Sequence, residues 1–219
     1  RGLNAGHEKE YSSWQNSMQF MRNIVDDSEI DDEVRICIEY NIPLTSKRVD
    51  FIIAGADKAG NENIVIVELK QWQKAEVVAD DMHYCVKTFI ANTDRIICHP
   101  SYQAYSYSCF LKNYSQSLTD ESINLVPCAY LHNYQPEYRQ TLSNPIYKEW
   151  FEVAPFFIKN EVAVFSDFVK KYITKKSSKG DLLYLIDHGR LHLHPWLKAI
   201  RSLCCLMSKL YVLICASKP

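Results

Sequence analysis

Arg48-Val49-Asp50-Phe51-Ile52-Ile53, the segment 54–63, and then Ile64-Val65-Ile66-Val67-Glu68-Leu69-Lys70 form the stretch that decides how this chain folds. Its two outer parts are rich in β-branched and aromatic residues, as strands are. Gly55 to Asn63 holds Gly, Asp, Lys and Asn, which reads as a hairpin-type turn between them. The run from Ile64 is β-branched almost to its charged end, a pattern expected in the middle of a sheet covered on both faces. Alternate side chains of a strand share a face. Arg48, Asp50 and Ile52 therefore point one way, and Val49, Phe51 and Ile53 the other. Glu68 and Lys70 share a face while Leu69 points away, so pairing of the two strands brings Asp50 and Glu68 together.

Upstream, Val34 to Tyr40 alternates with period two and reads as a first strand, ended by Pro43. Before it, Trp14, Met18, Met21 and Val25 recur at helical spacing, with Phe20 and Ile24 widening the stripe, so an amphipathic helix is expected from Glu10 to Val25. Downstream, a helix is expected over Val77–Phe89, a short strand over Arg95–Cys98, and a helix opened by His99-Pro100-Ser101 and running to Tyr114. Ile123–Leu131 reads as a further strand, and Tyr134–Phe151 as an irregular region with one short helix. Glu161–Ile173 reads as a helix with Val164, Phe165, Phe168, Val169 and Tyr172 inward. Lys175–Gly180 is a basic turn, and further helices are expected from Asp181 and over Leu197–Leu206. This order makes an α/β sandwich, a mixed central sheet flanked by helices with an antiparallel start.

With 219 residues, 47% of them hydrophobic, and a formal net charge of −1, the chain can bury one sizeable core and is not compositionally disordered. That net charge provides no strong field for nucleic acid, so such a partner would need a local basic patch, which 25 Lys and Arg allow. The eight cysteines form no CxxC pair and sit mostly in apolar or aromatic runs, which suits buried free thiols in a reducing compartment better than a disulfide scaffold. The polar start shows no signal peptide, and no apolar run approaches ~18 residues. A cytoplasmic protein without a membrane partner is the expectation.

Two carboxylates brought together repel, and one takes a proton unless a cation compensates. A hard divalent ion, Mg²⁺ or Mn²⁺, matches carboxylate oxygens, water and a phosphate. Lys70 beside them could orient or activate an attacking water and offset charge developing on the phosphate. The competing reading makes Asp50 and Glu68 surface carboxylates at strand ends, with Lys70 pairing one of them. Against it, all three interrupt apolar strands, where buried charge is costly. Lys47 and Arg48 flank Asp50 and could contact phosphate, or be an ordinary solvated pair. Trp72, Tyr102, Tyr105 and Tyr107 could stack on bases, or build a core. His188, His192 and His194 have no Cys or acidic partner at zinc-finger spacing. No GxxxxGK[ST] occurs, so nothing supports ATP binding by this chain.

Residues 39–51, Glu39-Tyr40-Asn41-Ile42-Pro43-Leu44-Thr45-Ser46-Lys47-Arg48-Val49-Asp50-Phe51, followed by Ile66-Val67-Glu68-Leu69-Lys70-Gln71-Trp72, resemble the PD-(D/E)xK nuclease superfamily. More closely they resemble the nuclease-like domain ahead of a P-loop ATPase or helicase-like domain in the DUF2075 family. Matching stretches are residues 13–17, 99–104 and 127–134. The resemblance implies a restriction-endonuclease-like core over residues 1–190. It departs at Leu191-His192-Leu193-His194-Pro195-Trp196, where the family is more polar, making 191–219 a divergent tail expected to pack on the same domain. It further implies Asp50 as metal-binding Asp, Glu68 as second acidic ligand and Lys70 as catalytic lysine, with Gln71 beside metal or substrate. Glu10 would add a carboxylate from the first helix, with Glu39 as an alternative contributor. Lys47, Arg48, Trp72 and Tyr102 are the candidate substrate contacts. The implied activity is Mg²⁺- or Mn²⁺-dependent phosphodiester hydrolysis of DNA rather than RNA, with a P-loop ATPase or helicase as partner in cis or in trans. The alternative is a catalytically inactive module of the same fold that binds nucleic acid or that partner.

Overall fold

The computed structural model describes residues 17–26, 29–43, 45–78, 82–90 and 92–188. Within them a helix α1 (17–25) precedes strands β1 (Arg35–Asn41), β2 (Arg48–Ala56) and β3 (Glu62–Lys70). Three strands follow, β4 (Ala75–Val77), β5 (Cys85–Ile90) and β6 (Thr93–Cys98), then helices α2 (Pro100–Tyr114) and α3 (Gln116–Asp120) and strand β7 (Asn124–Leu131). The described chain ends with α4 (Arg139–Leu142), α5 (Lys148–Val153), β8 (Phe156–Ile158), α6 (Val162–Tyr172) and α7 (Leu182–His188).

The central sheet has the order β1-β2-β3-β7-β8. Its first three strands are antiparallel neighbours, and β7 and β8 join in parallel. The sheet is therefore mixed with an antiparallel start. The β2–β3 hairpin pairs Phe51 with Val67 and Ala56 with Glu62. Its turn is held by Asp57, whose Oδ1 accepts from the Asn61 backbone N–H at 2.9 Å. Gly55 lets another backbone approach closely: a Cβ there would sit 2.5 Å from the Lys175 carbonyl oxygen, which accepts from the Ala56 N–H at 2.8 Å.

Period-two alternation sends the hydrophobic residues of β2 and β3 to opposite sides. Phe51, Ile53, Val65 and Val67 pack against Met21 and Ile24 of α1 and Phe165 and Val169 of α6. Ile52, Ala54, Ile64 and Ile66 pack against Tyr107 and Leu111 of α2 and Leu182 and Ile186 of α7. The architecture is α/β, helices on both faces of a mixed five-stranded sheet. A third cluster, including Trp72, Leu131, Tyr134, Tyr147 and Ile158, fills the space beneath the small sheet β4-β5-β6.

Several sequence expectations are corrected. The helix expected over Val77–Phe89 is not formed: its described residues end β4 and make most of β5. Val86 and Thr88 alternate inward against Lys87 and Phe89, and the Thr88 hydroxyl donates to the Lys74 carbonyl at 2.7 Å, so β-branched alternation and local pairing win over helical spacing. Arg95–Cys98 is a strand, but in the small sheet. Residues 134–151 hold two short helices and two 3₁₀ turns, each turn opened by a proline, Pro136 and Pro145. Phe156–Ile158, unassigned by pattern, is the edge strand beside β7. In α6 Phe165 and Val169 are buried, yet Val164 is 58% exposed, because the contact stripe is narrower than the apolar run. The beginning of the expected first helix, the expected helix at 197–206 and the tail 191–219 lie outside the described residues.

The start of α2 is set by His99. Its Nδ1 accepts from the Ser101 N–H at 3.2 Å, and its Nε2 lies 3.2 Å from the Leu142 carbonyl. Both contacts are met only by a neutral ring protonated at Nε2. Burial lowers its pKa to about 4, which keeps it in that form. Among the described residues no helix is long and apolar enough to cross a membrane.

Candidate active site

Continuing the β2–β3 register one pair beyond Phe51 and Val67 sets Asp50 across from Glu68, on the face covered by α2. Asp50 Oδ2 accepts from the Leu69 N–H at 2.8 Å. Lys70 Nζ lies 2.5 Å from Glu68 Oε1, with the lysine side chain 15% and the glutamate side chain 2% exposed. The other oxygen, Glu68 Oε2, is buried without a hydrogen-bond donor. The charge of Asp50 acts on Glu68 across the hairpin, a repulsion that a proton or a cation relieves.

The electrostatics express the same conflict. Burial pushes Glu68 up to about 7; Lys70 opposes the rise and the charge of Asp50 adds to it. Burial also raises Asp50, against the Leu69 N–H, Lys70 and Arg48, which favour its charged form. One ammonium thus serves a buried carboxyl and a half-buried one, and full ionisation leaves the pair short of compensating charge at its buried end.

Above them opens a polar groove of about 470 Å³. Lys47 and Arg48 line one side, exposed to solvent, and Gln103 and Tyr107 from α2 line the other. Arg48 pairs with Glu39 at 3.2 Å. Glu39 lies on β1 with φ +56, a left-handed conformation unusual for a non-glycine residue, and is not among the residues that line the groove. Gln103 Nε2 donates to the Tyr107 hydroxyl at 2.7 Å, leaving that O–H free to donate in turn. Burial first, and the Glu68 charge second, hold Tyr107 far above the ordinary tyrosine range, so it stays a donor.

The structure brings Asp50, Glu68, Lys70, Lys47 and Arg48 to one groove. The other candidates lie elsewhere. Gln71 Nε2 donates to Ser17 Oγ at 3.0 Å, tying the end of β3 to α1. Trp72 is 8% exposed in the third core cluster, with Lys70 Nζ 5.6 Å from its ring centroid, and does not line the groove. Tyr102, half-buried, packs 4.8 Å from Trp150 and 5.4 Å from Tyr84 and does not line the groove. A large ring serves burial as well as stacking, so the sequence leaves both roles open to these residues. Glu10 falls outside the described residues. Sequence reasoning assigned no role to Gln103 and left Tyr107 between core and stacking. Their i, i+4 spacing on α2 was the available signal, since it puts both on one helix face.

Among the described residues no group of three or more His, Cys, Asp or Glu side chains could hold a metal ion. The site offers a carboxylate pair, and Mg²⁺ characteristically takes one or two protein carboxylates, with water and substrate phosphate completing its shell. The pair therefore fits such an ion, and the donor-free Glu68 oxygen is the atom that lacks a partner without it. Comparison of the chain with protein-family models, with curated proteins and with solved structures finds no match in any of the three.

Proposed function

We propose that this chain is a divalent-metal-dependent nuclease with a restriction-endonuclease-like core, hydrolysing phosphodiester bonds of DNA. The observation that carries the reading is the buried Glu68 carboxyl, one oxygen on Lys70 and the other donor-free, lining with Asp50 a groove that Lys47 and Arg48 also line. Asp50 and Glu68 would hold Mg²⁺ or Mn²⁺, which when bound supplies positive charge to the phosphate oxygens and acidifies water. Lys70 is placed to position the attacking water and to meet the charge that develops on phosphorus. Tyr107, held by Gln103, presents a hydroxyl donor from the opposite wall. Lys47 and Arg48, exposed at the rim, suit the phosphates flanking the scissile one. DNA as substrate and a P-loop ATPase or helicase as partner come from the sequence resemblance.

The test is incubation of purified protein with plasmid and single-stranded DNA, with Mg²⁺, with Mn²⁺ and with EDTA, alongside Asp50→Ala and Lys70→Ala. Metal-dependent cleavage abolished in both variants is expected; cleavage persisting in both removes the assigned site. The close Lys70–Glu68 ion pair also supports a second reading, a module that binds without cutting, because a pair that neutralises itself has less need of a cation. Binding without cleavage by the unaltered protein would select it.

A further inference from the structure

The small sheet carries two cysteines that neither reading above uses. Cys85 opens β5, Cys98 ends β6, and the register sets them directly opposite one another. The type of pair follows from the backbone. Outside the pair, the His99 N–H donates to the Tyr84 carbonyl at 2.8 Å, while the Cys85 N–H is used by the Met82 carbonyl, also at 2.8 Å. In an antiparallel ladder that pattern marks a non-hydrogen-bonded pair, whose Cα atoms approach to about 4.5 Å with the side chains on one side. A disulfide spans Cα separations of about 4.4–6.8 Å, so this position admits one without strand movement. Both thiols are free. The remaining described cysteines lack such a partner: Cys37 lies opposite Ile52, Cys128 opposite Val67, and Cys109 is on α2.

We propose that Cys85 and Cys98 form a redox dithiol, a modification site at which a small-molecule disulfide oxidant leaves a cross-strand bridge. Cys98 is half-buried and Cys85 buried, which assigns the order of events. The Cys98 thiolate attacks one sulfur of the oxidant, forming a mixed disulfide and expelling the other half as a thiolate. Cys85 then loses its proton and attacks Cys98 Sγ, expelling the second half. Two protein thiols are oxidised by two electrons, and one oxidant disulfide is reduced to two thiols. Burial, and then the neighbouring Cys98, raise the Cys85 pKa, which suits a resolving thiol that reacts only once its partner is held against it. The bridge would form at the root of α2, since Cys98 directly precedes the cap His99.

The experiment is incubation of the full chain with mixtures of reduced and oxidised glutathione, followed by alkylation, digestion without reductant and mass spectrometry. Lys87 and Arg95 lie between the cysteines, so trypsin places them on separate peptides that stay joined only by a bridge. Expected is a Cys85–Cys98 linked pair that disappears on reduction, and in Cys85→Ser a Cys98 that stops at the glutathione adduct. A glutathione adduct persisting on Cys98 in the unaltered protein, a bridge mapped to other cysteines, or both thiols alkylated after oxidation would each overturn the proposal. Mapping of the unaltered protein decides the matter by itself if Cys85→Ser does not fold.

Discussion

Replacing Glu68 by Gln tests whether the fold carries an ionised carboxyl against its own stability. Burial raises Glu68 from an ordinary 4.5 to about 7. At about 1.4 kcal/mol per pH unit, this gap makes ionisation cost the native state about 3 kcal/mol relative to the unfolded chain. The native state binds this proton more tightly than the unfolded state does. The associated stability is therefore complete below about pH 4.5, falls as the pH rises, and is gone above about pH 7. A glutamine does not titrate. The unfolding free energy of Glu68→Gln minus that of the unaltered protein should thus grow by about 3 kcal/mol between about pH 4.5 and pH 8. The assay is urea denaturation in EDTA across that range, followed by tryptophan fluorescence. Repeating it with Mg²⁺ adds a second arm. A cation held by Asp50 and Glu68 stabilises the unaltered protein, by about 2.7 kcal/mol at one hundred times its dissociation constant, and the variant far less. Parallel pH profiles would refute the reasoning, because Glu68 would then ionise as easily folded as unfolded. Equal Mg²⁺ stabilisation of both proteins would refute Glu68 as a ligand.

Other perturbations address the neighbouring features. Tyr107→Phe keeps the ring in the α2 core but removes the hydroxyl from the groove; cleavage in single turnover should fall ~10-fold or more, with stability changed by ~1 kcal/mol or less, and unchanged cleavage would free Tyr107 of a role. Lys47→Ala with Arg48→Ala removes two exposed cations from the rim, so the slope of log affinity for duplex DNA against log salt, read by fluorescence anisotropy, should flatten by about 2, and an unaltered slope would place the phosphates elsewhere. His99, lowered by burial from 6.5 to about 4, binds protons less tightly folded than unfolded, so its contribution is lost as pH falls through that interval, by up to about 3 kcal/mol. His99→Ala should lose the cap and unfold about 3 kcal/mol more easily at pH 7, with a gap that narrows in acid; a constant gap would show that the ring is not kept neutral. Gly55→Ala drives a Cβ against the Lys175 carbonyl and should destabilise by about 2 kcal/mol in urea, whereas a neutral result would mean that the 173–175 segment yields freely.

Asp50, Glu68 and Lys70 were legible because strand periodicity is a property of the backbone alone. Once Arg48–Ile53 and Ile64–Lys70 are strands joined by a turn in the observed register, Asp50 and Glu68 share one face. The same logic identified β1, β7 and α2, where pattern and burial agree. It failed over residues 77–89, where short strands and their connection imitate an amphipathic helix, and at Phe156–Ile158, where three residues are too few to show a period. Trp72 and Tyr102 were ambiguous by chemistry, since burial and base stacking ask for the same ring.

By itself, then, the sequence determined strands β1, β2, β3 and β7, the mixed α/β layering and the placing of two carboxylates and a lysine on one face, all consequences of local alternation and of the exclusion of apolar runs from water. Only the tertiary structure decided what stands over that pair. The crossover from β3 to β7 drops α2 onto the carboxylate face, so Gln103 and Tyr107 become the second wall, while Trp72 turns into the core and Tyr102 toward Trp150. It also decided that Glu68 keeps an oxygen without a donor, because burial is set by contacts distant in sequence, and no spacing along the chain encodes which polar atom they leave without a partner.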